Sequence, residues 1–199
     1  MEIALTAEGT YPHQFGGVSV WCDQLVRGLP EHKFQLIALV ATGSEPVCWS
    51  LPGNVTELTA LPLWGTPPPA PRGSRWLRPR SGPPVRELID VLLAPAEEGR
   101  EQFAEVLRQL HAFSRHGNLS AELGSEESVR LLSEAWRERW PADDDRAPPT
   151  LHDAVLAIQL LEHALRPLSH PAPRADVVHA VTNGLGVLPA LAAKWEYGT

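Results

Sequence analysis

The apolar positions of the first forty residues change period twice. Ile3-Ala4-Leu5, within Glu2 to Ala7, is a short apolar run of the kind a strand makes, and it breaks at Glu8-Gly9-Thr10-Tyr11-Pro12 and again at Gly16-Gly17. From Val18 the apolar residues recur at steps of three and four, through Trp21, Cys22, Leu25, Val26 and Leu29. That spacing predicts a helix with one buried stripe, which Pro30 stops. Phe34 to Ala41 then runs apolar with little alternation, as a strand does when both faces of a parallel sheet are covered. Strand, glycine loop, helix and strand make a βαβ unit.

Val47 to Leu51 and Val55 to Leu61 read as two further short strands joined by Pro52-Gly53-Asn54. From Pro62 to Pro84 the composition turns to Pro, Gly, Trp and Arg, which predicts an extended connection. Between Val85 and Leu168 the pattern is helical throughout and predicts three or four inserted helices. Phe103, Val106, Leu107 and Leu110 mark one. Ser125 is placed to cap a second, carrying Val129, Leu132, Ala135 and Trp136 and ended by Pro141. Thr150 with Asp153 resembles a capping box for a third, from Leu151 to about Arg166. A strand returns over Asp176 to Val181, followed by the loop Thr182-Asn183-Gly184 and a small-residue helix from Leu185 towards Tyr197, and the chain stops where another strand is expected. The fold class expected is α/β: a Rossmann-like parallel sheet over 1–61 and 169–199, an incomplete one, with a Pro/Arg-rich linker over 62–84 and a helical insert over 85–168.

Composition narrows the field. The 199 residues, 43% of them hydrophobic, suffice for a real core without metal or disulfide staples. Seventeen basic against 24 acidic residues give a net charge of −7, so the molecule as a whole repels phosphate backbones and anionic lipid, and general nucleic-acid binding is not expected. Cys22 and Cys48 form no C-x-x-C and have no Cys/His spacing for zinc, which suits a reducing cytoplasm. No basic segment followed by a long apolar stretch opens the chain, and the longest strongly apolar run, Leu36 to Ala41, is too short to span a bilayer. The expected location is cytoplasmic.

The loop from Gly9 to Gly17 is the segment richest in chemistry. A turn between a buried strand and a helix presents free backbone N–H groups and the positive end of the helix dipole at the carboxyl edge of the sheet, where phosphate or a developing negative charge is stabilised. Gly16-Gly17 therefore has two readings: it brings a ligand close to the main chain, or it permits a tight turn and close helix packing. The loop is neither G-x-x-x-x-G-K-[ST] nor G-x-G-x-x-G, so neither a P-loop NTPase nor a standard dinucleotide site is expected, and no G-x-S-x-G surrounds Ser19. Asp143-Asp144-Asp145 reads as an exposed loop rather than a magnesium site. His152 and His163, eleven residues apart, do not share a helix face as an i, i+4 chelating pair would. Arg72, Arg75, Arg78, Arg80 and Arg86, with Trp76, form a local basic segment, either a contact for an anionic polymer or lipid or a solvated linker. No metal and no cofactor is expected.

Three stretches together resemble a known family. Glu8-Gly9-Thr10-Tyr11-Pro12, Gly16-Gly17-Val18-Ser19-Val20-Trp21 and Leu25 to His32 are similar to the opening of the family 4 retaining glycosyltransferases of GT-B type, and within them most resemble the PelF-like branch. Ala175-Asp176-Val177-Val178-His179-Ala180 and Leu188 to Thr199 are similar to a later strand and helix of that family. The resemblance implies the acceptor-side domain of an enzyme that moves a sugar, by implication from a UDP-sugar, to a growing exopolysaccharide or other glycan. The family's second Rossmann-like domain, which holds the donor, is not encoded in these residues, so the chain is expected to be inactive alone. By the same resemblance Gly16, Gly17, Ser19 and Thr10 belong to the donor or substrate surface, and His179, as the candidate catalytic residue, lines the cleft with Asn183. On their residues alone, His179 also reads as a half-buried strand histidine, Asn183 as a helix cap, and Glu8 and Thr10 as parts of a solvated turn. The implied partners are the nucleotide-sugar, the glycan acceptor, and either a separately encoded C-terminal half or a membrane polysaccharide-export complex; an unpaired sheet edge leaves self-association open. Two rivals stand beside this reading: a non-catalytic glycan- or partner-binding module, and an unrelated Rossmann-type nucleotide-binding enzyme. The second lacks an acidic ribose-binding residue after the second strand, since Ala41-Thr42-Gly43-Ser44 offers none before Glu45.

Overall fold

A computed structural model describes residues 1–67, 84–95, 99–140 and 147–199. The chain divides into two compact units, one of Met1–Pro67 with His170–Thr199 and one of Pro68–Ser169. The basic segment Arg72 to Arg80 and the aspartates 143–145 lie outside the described residues.

The first unit is built on four parallel strands, β1 (Glu2–Glu8), β2 (Lys33–Val40), β3 (Val55–Pro62) and β4 (Val177–Ala180), in the order β3-β2-β1-β4. Helix α1 (Gly17–Gly28) connects β1 to β2. The register runs Leu5↔Leu36 between β1 and β2 and Leu5↔His179 between β1 and β4, so these three positions share one face. Cys22 and Val26 of α1 pack on that face with Ile3, Leu5, Phe34, Leu36 and the buried ring of Tyr11. Ala4, Ile37, Leu39 and Leu61 point to the other face, where Val178 and Leu185 join them. From Leu36 to Val40 every residue of β2 is buried, which is why its sequence shows no alternation. This is the α/β, Rossmann-like arrangement.

Two local expectations are corrected. Val47 to Leu51 is not a strand: the Cys48 amide donates to the Pro12 carbonyl at 2.9 Å and the Trp49 indole to the Gln14 carbonyl at 2.9 Å, so the segment braces the loop after β1. The buried stripe of α1 is Ser19, Cys22 and Val26, whereas Val18 and Trp21 are exposed. Val20 is exposed as well, so the apolar arc of α1 is wider than the strip the sheet covers.

The second unit holds five α-helices among the described residues, α2 (Val85–Leu93), α3 (Arg100–Ser114), α4 (Leu119–Leu123), α5 (Glu126–Arg139) and α6 (Leu151–Leu165), and a 3₁₀ turn at Arg166–Ser169. Both sequence-predicted caps form. Ser125 accepts from the Ser128 amide, and Thr150 and Asp153 make the reciprocal box that fixes the start of α6. Leu88, Ile89, Leu110, Leu119, Leu123, Leu132 and Ile158 fill the interior. His111 and Ser114 meet the Leu168 carbonyl at 2.9 and 2.8 Å, tying α3 to the 3₁₀ turn. Helix α7 (Val187–Tyr197) follows β4 in the first unit and ends at Gly198, which is left-handed at φ 78°. No described helix is long and apolar enough to cross a membrane.

Among the described residues of the helical unit, Glu162 and Arg166 form a buried charged pair. Arg166 donates to both carboxylate oxygens of Glu162, at 2.7 and 2.8 Å, and its side chain is 3% exposed. Glu162→Ala leaves a guanidinium in the interior without its carboxylate. The expected cost is about 3 kcal/mol, read as a lower urea midpoint, and a loss below about 1 kcal/mol would show that the pair does not carry the packing there.

Candidate functional site

Parallel pairing sends the loop after β1 and the loop after β4 out of the same edge of the sheet, from adjacent strands. Gly9 opens the first loop in the left-handed region, at φ 56°, and its amide donates to the Leu39 carbonyl at 2.7 Å. Tyr11 is buried beneath, and a cis peptide joins it to Pro12. Its hydroxyl donates to Asp23 at 3.2 Å, and burial with the neighbouring Asp23 charge pushes that hydroxyl well above its ordinary pKa. The ring nitrogen Nδ1 of His13 lies 3.1 Å from the carbonyls of both Glu45 and Pro46. The loop is thus fixed from below and from the side before it reaches Gly16.

The start of α1 is open. Its first intrahelical bond is Val20 N–H to the Gly16 carbonyl at 2.9 Å, so the amides of Gly17, Val18 and Ser19 lie ahead of the helical ladder. Among the described residues no side chain caps them, and no acidic residue stands in the first turn. A Cβ built on Gly16 or on Gly17 meets nothing within 4 Å, and Gly16, at φ 168°, is in extended backbone that any residue adopts. Neither close packing nor backbone conformation therefore asks for glycine at these positions, and the packing reading of Gly16-Gly17 is set aside. Ser19 is 1% exposed, and among the described residues its Oγ has no hydrogen-bond partner, nor do the buried Thr10 Oγ1 and His13 Nε2.

The second loop is anchored by Glu8, a residue whose role sequence reasoning missed. Its carboxylate accepts the Gly186 amide at the start of α7 and the Thr182 hydroxyl at 3.4 Å. Thr6 Oγ1 donates to the Gly186 carbonyl at 2.7 Å. Gly184 closes over the carboxylate: a Cβ there would lie 2.8 Å from the carboxyl carbon. A negative charge at a helix N-terminus is favourable, so Glu8 caps α7 and is not part of a solvated turn. Asn183 does not cap α7, whose N-cap is Gly186; its side chain is exposed.

His179 is exposed rather than half-buried. Its register with Leu5 puts it on the face α1 covers, and there its ring meets Trp21, with centroids 5.6 Å apart and planes inclined at 34°. The structure brings His179 to Trp21 in the second turn of α1, one turn along from the open amides of Gly17 and Val18, so the histidine and the helix start are on one side of the sheet. Among the described residues no group of three or more His, Cys, Asp or Glu side chains is placed to hold a metal ion. His152 is exposed, and His163 sits 3.4 Å from Glu162. A separate hollow of about 340 Å³ lies along β2 and β3 on the sheet face opposite α1, with Gln35, Glu57, Thr59 and Arg174 among its lining residues.

A family model described as a domain of unknown function, DUF3492, matches residues 1–199. The chain belongs to that family. No curated protein and no solved structure matches it. Within this DUF3492 domain the open helix start, the capped second loop and the Trp21–His179 contact make up the candidate site.

Two outcomes test this geometry. Gly184→Ala pushes into the Glu8 carboxylate and is expected to cost about 1–3 kcal/mol in thermal or urea unfolding, and less when made in a Glu8→Ala background; a neutral Gly184→Ala would place Glu8 elsewhere. Glu45 accepts the amides of Thr42 and Gly43, each at 2.7 Å, and these bonds lower its carboxyl from the usual 4.5 to about 2. A depressed carboxyl stabilises the folded state above its unfolded pKa, so its contribution is present above about pH 4.5 and fades as pH falls towards 2. Glu45→Gln should flatten that part of the stability-pH curve, and an unchanged slope would count against the turn.

Proposed function

We propose that this DUF3492 domain is the acceptor-side domain of a PelF-like, family 4 retaining glycosyltransferase of GT-B type. In the complete enzyme a sugar passes from a UDP-sugar to a growing exopolysaccharide or related glycan. The observation that carries this reading is the open start of α1, where two glycines that neither packing nor backbone geometry requires leave the amides of Gly17 and Val18 clear. In retaining transfer the demanding moment is departure of the nucleoside diphosphate, as negative charge grows on the phosphate oxygen that held the sugar. Preorganised amides and the positive end of a helix stabilise such charge without reorganising. His179, with an exposed ring nearby on β4, is assigned to a hydrogen bond with the transferring sugar or the acceptor hydroxyl, and Asn183 to the rim of the cleft.

A second domain completes the donor site in this reading, supplied either by the same polypeptide or by a separately encoded half, and the assembly works on the cytoplasmic side of a polysaccharide-export complex. The 199-residue chain alone is expected to bind UDP and UDP-sugars weakly and to transfer nothing. The resemblance in the loop after β1 and the strand bearing His179 supports this reading over an unrelated Rossmann enzyme, because the Thr42 to Glu45 turn spends its one carboxylate on its own amides.

The test is an amide-resolved NMR titration of the chain with UDP and UDP-glucose. Gly17, Val18 and Ser19 amides are expected to shift most, with a dissociation constant in the millimolar range. Gly17→Glu places a carboxylate at the same helix end and is expected to weaken UDP at least tenfold while leaving the unfolding midpoint nearly unchanged. Equal UDP affinity in the variant, or robust sugar transfer by the isolated chain, would overturn the proposal.

A further inference from the structure

We propose that Trp21 and His179 form an aromatic platform that takes one pyranose ring of the glycan acceptor. This assignment rests on the glycosyltransferase reading for the word acceptor, while the platform itself stands on local geometry. Trp21 lies four residues after Gly17, on the same flank of α1 and one turn further in. Its side chain is 44% exposed, although helical periodicity counts it with the buried stripe. The register Leu5↔His179 delivers the imidazole to that flank, and the two rings meet at 5.6 Å. Val18, three residues before Trp21 on α1 and 37% exposed, and Val177, two residues before His179 on β4 and 41% exposed, share the faces of the pair.

A second ring pair stands just before the helix. Phe15, 72% exposed, packs on Trp49 with centroids 5.2 Å apart, and Trp49 is pinned by its indole bond to the Gln14 carbonyl. Pinning matters, because a ring held in place loses little freedom when a ligand stacks on it.

The chemistry of this flank suits a sugar better than a protein partner. A pyranose ring has an apolar face of C–H groups and a rim of hydroxyls. An indole face receives the C–H groups by dispersion and weak C–H contacts with its π cloud. The neighbouring imidazole both donates and accepts hydrogen bonds, as the hydroxyl rim requires. The side chain of Asn183, exposed in the loop that leaves β4, adds an amide at the same edge of the sheet. A docked helix needs a continuous apolar strip, whereas here Gly17 and His179 interrupt it.

The experiment follows the Trp21 indole N–H resonance of the full chain, assigned with Trp21→Phe, during titration with cellohexaose, maltohexaose and chitohexaose. At least one of these neutral oligosaccharides is expected to shift it. Trp21→Ala should weaken that sugar tenfold or more, Trp21→Phe less than threefold, and His179→Gln by an intermediate factor, with far-UV circular dichroism unchanged in all three. Absence of any oligosaccharide response, or an unchanged affinity in Trp21→Ala, overturns the platform. A Trp21 shift produced by uridine at lower concentration than by any sugar also overturns it, assigning the rings to a nucleobase. Tryptophan-dependent sugar binding without any UDP response leaves the platform standing and removes the glycosyltransferase reading; UDP binding with Trp21-independent sugar binding does the reverse.

Discussion

The carboxylate of Glu8 holds together a site assembled from the two ends of the chain. It sits at the last residue of β1 and accepts the Gly186 amide, so the strand that begins the sequence is bonded to the turn that begins its last helix. The β1–β4 ladder, with Ile3↔Val177 through Thr6↔Ala180, does the rest of the joining. A negative partner favours a helix start, and by serving α7 the Glu8 side chain is withdrawn from α1, whose first amides stay open. One capped helix and one uncapped helix at the same sheet edge are therefore consequences of a single side-chain choice. Gly184 belongs to that choice, because a larger residue would meet the carboxylate.

Register turns this anchoring into a surface. In a parallel sheet, residues paired across strands point the same way, so Leu5 fixes the direction of His179. Leu5 faces the helix that covers β1 and β2, but β4 is at the sheet edge and the helix covers it only along one flank. The imidazole is consequently exposed while still reaching Trp21. Ser19, Cys22 and Val26 seat the helix on the sheet, and Trp21 points across its flank. Burial of the first three sets the position of the fourth.

Much of this frame is legible in the sequence. β1, α1 and β2 follow from period, β4 from its apolar run, and the start of α6 from Thr150 and Asp153. The failures have physical causes. Val47 to Leu51 has a strand's composition, yet its amide and indole are engaged with Pro12 and Gln14, and no local pattern announces that. Helix α4 spans only Leu119–Leu123, too few residues for a period to emerge. Trp21 is counted as buried because period reports an apolar arc and not how much of it a neighbour covers. The partner of Glu8 is 178 residues away, beyond any local reading. Gly16-Gly17 carries two meanings in sequence, and the open space around both positions shows only that packing does not require glycine there.

The central claim is that the start of α1 is an anion site beside the Trp21–His179 flank. A crystal structure of the chain soaked with UDP tests it most directly. The account predicts diphosphate oxygens within hydrogen-bond distance of the Gly17 and Val18 amides, on the flank that carries His179. Diphosphate seated instead in the hollow lined by Gln35 and Glu57, on the sheet face opposite α1, would contradict it.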